Sequence, residues 1–378
     1  MRLSRRQALI SAVGLALGFV RQSEAAAAAD FAEFDAALVR HSVGVTAVRA
    51  SLAVAYQERL VHARGFGGAE PSDRFLLASG SKTITAAAIA TLVQAGRLSL
   101  ETRIGETLRP WFAANGAPAD ARVQAVTVLQ LLTHTGGLAG SDAADPMFGP
   151  NLLALLRQQP PARLGKRELY DSVRQVPLRA PPGSGYRYSN LGYFYLGLIA
   201  EAASGQGYNS YCQEQVLRRS GVRQATIEPD LRFADAFAGW RMSAPELLKF
   251  LQVFEPENTA VLDRRFHRFV QTPSAAVVPL AGGAVAYYTL GLYLRLDGAR
   301  PIWWHPGALE FHSSSLNRSA AALLARGDNG ASWVAFYEPQ PARETPGRID
   351  FLEQARRVSR WPADDRFPQF GLPAAKPR

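Results

Sequence analysis

Apolar residues recur at helical spacing over residues 31–41, where Phe31, Phe34, Ala37 and Leu38 fall on one face. Two apolar runs, 50–56 and 60–66, flank the polar Gln57-Glu58-Arg59, a length and turn chemistry that predict a β-hairpin. From 82 to 93, Ile84, Ala87, Ala88 and Leu92 mark one face of a helix that begins near Ser79 and ends at Ala95-Gly96. Thr127 ahead of Val128, Leu131 and Leu132 opens a short helix, and the glycines of His134-Thr135-Gly136-Gly137 stop it. Further helices are predicted at 191–203, 208–220 and 244–254. The last third changes character. Runs at 284–296, 301–304, 320–325 and 332–337 read as strands separated by Gly, Asp and Asn turns, and a helix at 349–358 follows them.

Strands at both chain ends with helices between them predict an α+β plan, one sheet assembled from the two ends and a helical lobe inserted in the middle. The sheet lobe takes about residues 30–78 and 240–360 and the helical lobe about 79–239, with a cleft where they meet. Pro362, Pro368, Pro373 and Pro377 mark residues 361–378 as a tail that either wraps the body or frays.

Composition narrows the function classes. With 47% apolar and 20% charged residues, the 378-residue chain has ample core for one large domain or two coupled lobes. Its formal charge is +10, but the arginine spots Arg218-Arg219, Arg264-Arg265 and Arg356-Arg357 are short and carry no interleaved aromatics, which argues for a solvated basic surface and against nucleic acid. Cys212 is the only cysteine, so an internal disulfide and a cysteine zinc site are excluded. No HExxH spacing occurs, and Gly165-Lys166 is followed by Arg167 in place of the hydroxyl of a phosphate loop. No metal and no cofactor are expected. Residues 1–29 have the order of an export signal: Arg2, Arg5 and Arg6, an apolar run 8–20 too short to span a bilayer, and an alanine-rich stretch 25–29. Ser4-Arg5-Arg6-Gln7-Ala8-Leu9 resembles a twin-arginine signal with Ala8 at the usual Phe position; the alternatives are a general secretory signal or a retained anchor. All three readings put the body in the periplasm or outside the cell, with transient membrane contact confined to this segment.

Three short motifs carry chemistry. Ser79-Gly80-Ser81-Lys82 at a helix start puts a hydroxyl and an amine one turn apart on one face, and a desolvated lysine is a base able to activate a serine. Tyr188-Ser189-Asn190 directs a phenol and an amide to one side of an extended segment. His305-Pro306-Gly307 adds a basic residue two before a glycine on an apparent strand. Each match alone is weak in a chain of this composition; the three together, in this order, are informative.

With these motifs the chain resembles the serine β-lactamase and penicillin-binding protein superfamily, in its class C β-lactamase, DD-peptidase and esterase branch, over residues 31–337. The resemblance also rests on Phe75-Leu76-Leu77-Ala78, on Leu129-Gln130-Leu131-Leu132-Thr133-His134-Thr135-Gly136-Gly137-Leu138, on Pro182-Gly183-Ser184-Gly185-Tyr186, and on Ala238-Gly239-Trp240-Arg241-Met242-Ser243. It implies a β-lactamase/transpeptidase-like fold and an acyl-enzyme on Ser79, with Lys82 and Tyr188 shuttling protons and Asn190 orienting the substrate. It also implies an oxyanion hole from the backbone N–H groups of Ser79 and Ala308, and substrate contacts at His305 and Gly307. Lys82 is the expected source of the positive charge that a Tyr188 phenolate needs, and which of the two is the acylation base stays open.

The third motif departs from the family, where Lys or His is followed by Thr or Ser and then Gly. Pro306 removes the hydroxyl that helps hold a substrate carboxylate and one backbone N–H, which an edge strand tolerates. A protonated His305 or Arg241 is the remaining candidate for that charge. The reading is therefore an exported serine hydrolase of a small ester or amide. The alternatives are a D-alanyl-D-alanine carboxypeptidase or class C-like β-lactamase acting on peptidoglycan-derived peptides or β-lactams, and a non-catalytic peptidoglycan-binding protein. His134, His312 and Cys212 are assigned to structure, and of Trp303 and Trp304 one is expected to be buried while the other lines the cleft.

Overall fold

The structure, a computed structural model, describes residues 31–40, 48–140, 145–297, 300–341 and 347–375. The export segment predicted at 1–29 lies outside these residues. Among the described residues no helix is long and apolar enough to cross a membrane.

Helix α1 (residues 31–40) leads to the hairpin of β1 (Arg49–Tyr56) and β2 (Arg59–Phe66). Its turn is Gln57-Glu58, both at positive φ (50° and 67°), the left-handed pair that matches strand twist. β1 and β2 then join strands from the other chain end. β3 (Phe75–Leu76), β4 (Thr226–Ile227) and β5 (Trp240–Met242) make a small separate sheet in the order β3-β5-β4. β6 (Val277–Pro279), β7 (Val285–Tyr288), β8 (Tyr293–Asp297), β9 (Arg300–His312), β10 (Asn317–Arg326) and β11 (Ala331–Glu338) complete an antiparallel sheet of order β2-β1-β11-β10-β9-β8-β7-β6. The α+β plan, with one sheet from both chain ends, is what the structure has.

Both faces of this sheet are covered, which is why β1 reads as a continuous apolar run. Phe34 of α1 and Phe351 of the helix Gly347–Arg357 stack at 6.1 Å on one side. On the other side the helix Ala244–Leu251 packs against β1 and β11. Helix α2 (Ser81–Gln94) is buried on every side from Ser81 to Val93, not along the single stripe expected from Ile84, Ala87, Ala88 and Leu92. Its alanines let the helix Asn190–Ser204 approach closely.

Four local expectations are corrected. The run 284–296 is two strands, β7 and β8, around a turn in which Gly291 has φ +69°. The strand expected at 301–304 continues to His312. The helix expected at 208–220 is α-helical over Tyr208–Cys212 and then widens to a π-helix over Gln213–Leu217. Trp303 and Trp304 are both buried, Trp303 edge-on to Phe254 and Trp304 stacked on Tyr293 at 5.5 Å, so neither lines a cleft. The tail wraps the body as far as Ala375. Trp361 stacks on Tyr56 at 4.5 Å, the Arg366 N–H donates to Leu60 O, and the Leu60 N–H donates to Asp365 Oδ1.

Candidate active site

Ser79 sits in the single 3₁₀ turn Ala78–Gly80 that joins β3 to α2, a half-buried position ahead of the helix. Ala78 has φ +45°, a conformation that costs an L-residue energy and that the surroundings must enforce. They do so from both flanks: the Leu77 N–H donates to Trp240 O at 2.8 Å, and the Trp240 N–H donates to Ser81 Oγ at 3.1 Å. Ser79 caps nothing; it is held outside the helix with its hydroxyl available.

Lys82, one turn on, is fully buried, with Nζ 3.1 Å from Ser79 Oγ. Nζ also donates to Asn190 Oδ1 at 2.6 Å and to Phe237 O at 3.0 Å. A neutral amine has two hydrogens and one lone pair. Nζ thus has three oxygen neighbours, Ser79 Oγ, Asn190 Oδ1 and Phe237 O; in the neutral form its two hydrogens suffice for Asn190 and Phe237, which leaves the lone pair to take the Ser79 proton. Burial drives the Lys82 amine well below its ordinary pKa, and the Asp145 carboxylate opposes that shift. The Tyr188, Tyr193 and Phe237 rings lie 4.9, 5.7 and 5.8 Å from Nζ, close enough to attract its charged form.

Tyr188 and Asn190 arrive on the segment that starts the helix Asn190–Ser204. Ser189 caps that helix by accepting the Gly192 N–H, and donates to Ala139 O at 2.6 Å. His134 grips the same segment twice: its carbonyl accepts the Arg187 N–H at 2.8 Å and its Nδ1 accepts the Ser189 N–H at 3.2 Å. At φ +57° it presents ring and carbonyl to the same segment, and its ring centre is 4.4 Å from that of Tyr188. The structural assignment of His134 thus has a specific content. Burial raises the pKa of the Tyr188 phenol well above its ordinary value, and the neighbouring Ser79 hydroxyl opposes that shift. The expected phenolate supported by Lys82 is not what this environment favours: burial raises the pKa of the phenol and lowers that of the amine.

The third motif lies on β9. β8 pairs with β9 only as far as Tyr293↔Trp304, while β10 pairs with it along its length to His312. Pro306 is therefore inside the sheet by strand order but on an open edge locally, and its ring nitrogen is accommodated because that edge has no partner. Ala308, two residues on, directs its N–H to the same open edge. Gly307 packs against the nucleophile turn so closely that a Cβ there would lie 2.2 Å from Leu77 O. His305 is buried, with Nδ1 donating to Pro306 O at 2.6 Å and Nε2 accepting the Tyr288 hydroxyl at 3.0 Å. Burial first, then Lys82, push its pKa down to about 3, so a protonated His305 waiting for a carboxylate is a corrected expectation. Arg241 is corrected as well: its guanidinium pairs with Glu228 and donates to Arg74 O beside the small sheet. His312 is exposed and bonded to Asn317 and Glu310, and Cys212 is buried core.

The structure thus brings Ser79, Lys82, Tyr188 and Asn190 together and sets Gly307 against the Ser79 turn. It also adds a residue that sequence reasoning missed. Asp145 Oδ2 accepts from Asn190 Nδ2 at 2.5 Å, continuing a chain Ser79–Lys82–Asn190–Asp145. No spacing rule ties residue 145 to residue 190, and the segment around it has no motif. Among the described residues no group of three or more His, Cys, Asp or Glu is placed to hold a metal ion.

A family model described as Beta-lactamase matches residues 36–336. Penicillin-binding protein 4 of Amycolatopsis lactamdurans is 33% identical over 179 residues, which cover 46% of this chain and 42% of that protein. The match therefore spans less than half of that relative's length. Among solved structures, the penicillin-binding protein homologue from Pyrococcus abyssi superposes with a TM-score of 0.68 at 18% identity, covering 87% of this chain and 76% of the other. The D-amino acid amidase from Ochrobactrum anthropi SV3 superposes with a TM-score of 0.65 at 17% identity, covering 85% and 99%. At such identities the structures speak for the fold, which is the β-lactamase/transpeptidase-like one. With the matched model covering most of its length, this chain belongs to the beta-lactamase family.

Proposed function

We propose that the protein is a serine hydrolase that cleaves a small ester or amide through an acyl-enzyme on Ser79, with Lys82 as the base. The observation that carries this reading is the amine of Lys82, buried, with Nζ 3.1 Å from Ser79 Oγ and Asn190 Oδ1 and Phe237 O at 2.6 and 3.0 Å to take the two hydrogens of its neutral form. Ser79 Oγ attacks the acyl carbon and its proton passes to Lys82 Nζ. The carbonyl oxygen gains negative charge between the backbone N–H groups of Ser79 and Ala308, where one donor is worth about 3 kcal/mol. The leaving group takes the Tyr188 proton, which the Lys82 ammonium replaces. Water then attacks the acyl carbon and gives its proton to the base, which passes it to Ser79 Oγ as the acyl–serine bond breaks and the acid product leaves.

Asn190 uses one Nδ2 hydrogen on Asp145 and keeps the other for the substrate. Gly307 lets β9 close on the nucleophile turn and frames one wall of the site. His305 contributes through Tyr288 to that wall and carries no charge to the substrate. A neutral His305 and a proline at 306 leave the usual place for a carboxylate without cation or hydroxyl, which favours uncharged ester or amide substrates over penicillins. The second reading, a D-alanyl-D-alanine carboxypeptidase or class C-like β-lactamase, is favoured by the similarity to penicillin-binding protein 4. The amino-terminal pattern supports a place in the periplasm or outside the cell, where small molecules or peptidoglycan-derived peptides would be the substrates.

Intact-mass analysis of the wild type and Ser79→Ala after exposure to benzylpenicillin and, separately, nitrophenyl butyrate tests this. The expected result is ester turnover that needs Ser79 and no stable penicillin adduct. A penicillin adduct on the wild type alone would move the assignment to the peptidase reading. Inertness toward both reagents would turn it to a binding protein.

A further inference from the structure

We propose that Asp145 is a positioning residue for the acyl transfer, holding Asn190 in the one orientation that leaves the Lys82 lone pair on Ser79. The proposal rests on the reading of Lys82 as base. An asparagine amide offers an oxygen that accepts and a nitrogen that donates, and its two ends are nearly the same size. Asn190 turns Oδ1 to Lys82 Nζ at 2.6 Å and Nδ2 to Asp145 Oδ2 at 2.5 Å. A carboxylate only accepts, so with Asp145 ionised the reverse orientation faces Nδ2 away from its acceptor and two oxygens toward each other. Without that carboxylate the amide can flip, and Nδ2 then donates to the Lys82 amine. The lone pair that Ser79 needs would be spent on Asn190.

Asp145 is itself held for this task. Its Oδ1 accepts the Met147 N–H at 2.9 Å, its backbone carbonyl accepts the Phe148 N–H at 3.2 Å, and Met147 is fully buried beneath it. Oδ2 is thereby directed at the asparagine. The same carboxylate has a second effect on the base. Among the described residues, the titratable groups around Lys82 are Tyr188 and Tyr193, whose phenols burial keeps protonated, His134 and His305, which burial keeps neutral, and Asp145. Asp145 is the carboxylate of this set: burial raises its pKa while the Met147 N–H, the Asn190 amide and Lys82 hold it down, and its charge opposes the fall that burial imposes on the lysine.

Asp145→Asn replaces an acceptor by a group that accommodates either orientation of Asn190, and Asp145→Glu retains the charge. For Asp145→Asn we expect kcat to fall by about tenfold or more with KM little changed, and the acid limb of the kcat/KM profile to move to lower pH. Asp145→Glu is expected to bring back the position of that limb. Only four lysines occur in the chain, Lys82, Lys166, Lys249 and Lys376, so ¹³C-lysine labelling resolves Lys82 and reads its titration without any substrate. A lower Lys82 midpoint in Asp145→Asn is expected even where turnover is absent. A shifted midpoint with no turnover in the wild type would sink the hydrolase reading and leave the electrostatic role of Asp145 standing. An unchanged midpoint together with unchanged kcat in a folded Asp145→Asn protein would overturn the proposal.

Discussion

Lys82→Met is expected to lower kcat/KM by about 10²- to 10⁴-fold, the usual contribution of a positioned base, while the protein stays folded. Methionine fills a similar volume in a site bounded by the Tyr188, Tyr193 and Phe237 rings. What is lost is the lone pair beside Ser79. The pH dependence separates this cause from misfolding. Activity needs the neutral amine, so in the wild type kcat/KM rises with pH through the Lys82 pKa, which burial sets well below the ordinary 10.5. The residual rate of the variant should lack that limb. Stability carries the same signature with a defined sign. Between the lowered pKa in the folded protein and 10.5 in the unfolded chain, the unfolded chain binds a proton that the folded one does not, so this group makes stability rise with pH across that window. Lys82→Met removes that component, and melting temperatures of both proteins from pH 6 to 10 measure it. A variant that keeps the wild-type acid limb would show that another group is the base.

The second large effect is expected at Gly307. In Gly307→Ala the new Cβ would meet Leu77 O at 2.2 Å, Ala322 Cβ at 3.2 Å and Gly80 N at 3.3 Å. Leu77 O is not free to move: it accepts the Gly80 N–H at 2.9 Å within the turn that presents Ser79. Relief of the clash therefore separates β9 from that turn by about 1 Å, with a stability loss of about 1–3 kcal/mol typical of overpacking. The rate should fall further than the stability. A displacement of that size at an active site costs about 10²-fold, because the N–H groups of Ser79 and Ala308 no longer converge on one oxygen. Thermal unfolding and single-turnover acylation, compared on the same preparation, distinguish the two effects. Wild-type values for both would mean that the close approach of β9 to the turn is dispensable.

Much of the fold was legible because its signals are local. The β1–β2 hairpin, the helices near 81–94, 190–204 and 244–251, and the strands β10 and β11 fall close to their expected places. Where reading failed, the cause was packing. β7 and β8 share one apolar run, and only the turn at Gly291 against α2 divides them; a Cβ there would press on Ala86 and on Lys82 O. Trp303 and Trp304 alternate faces on β9 as any strand requires, yet both are buried because this stretch of β9 has cover on each side.

The candidate site divides in the same way. That Ser79 and Lys82 meet follows from three residues of helical geometry, since backbone dihedral angles alone bring i and i+3 onto one face. The grouping of Tyr188 and Asn190 on one short segment is likewise local. That this segment faces Ser79, that Asp145 closes the chain behind Asn190, and that Arg241 turns away to Glu228 are matters of long-range packing, to which residue spacing along the chain is blind. Protonation is the plainest case. Lysine, tyrosine and histidine carry the same side chains in solution and in this cleft, and the sequence names them. Whether Lys82 is a base, Tyr188 an acid and His305 a neutral strut depends on how much water the surrounding elements exclude, which only the assembled lobes decide.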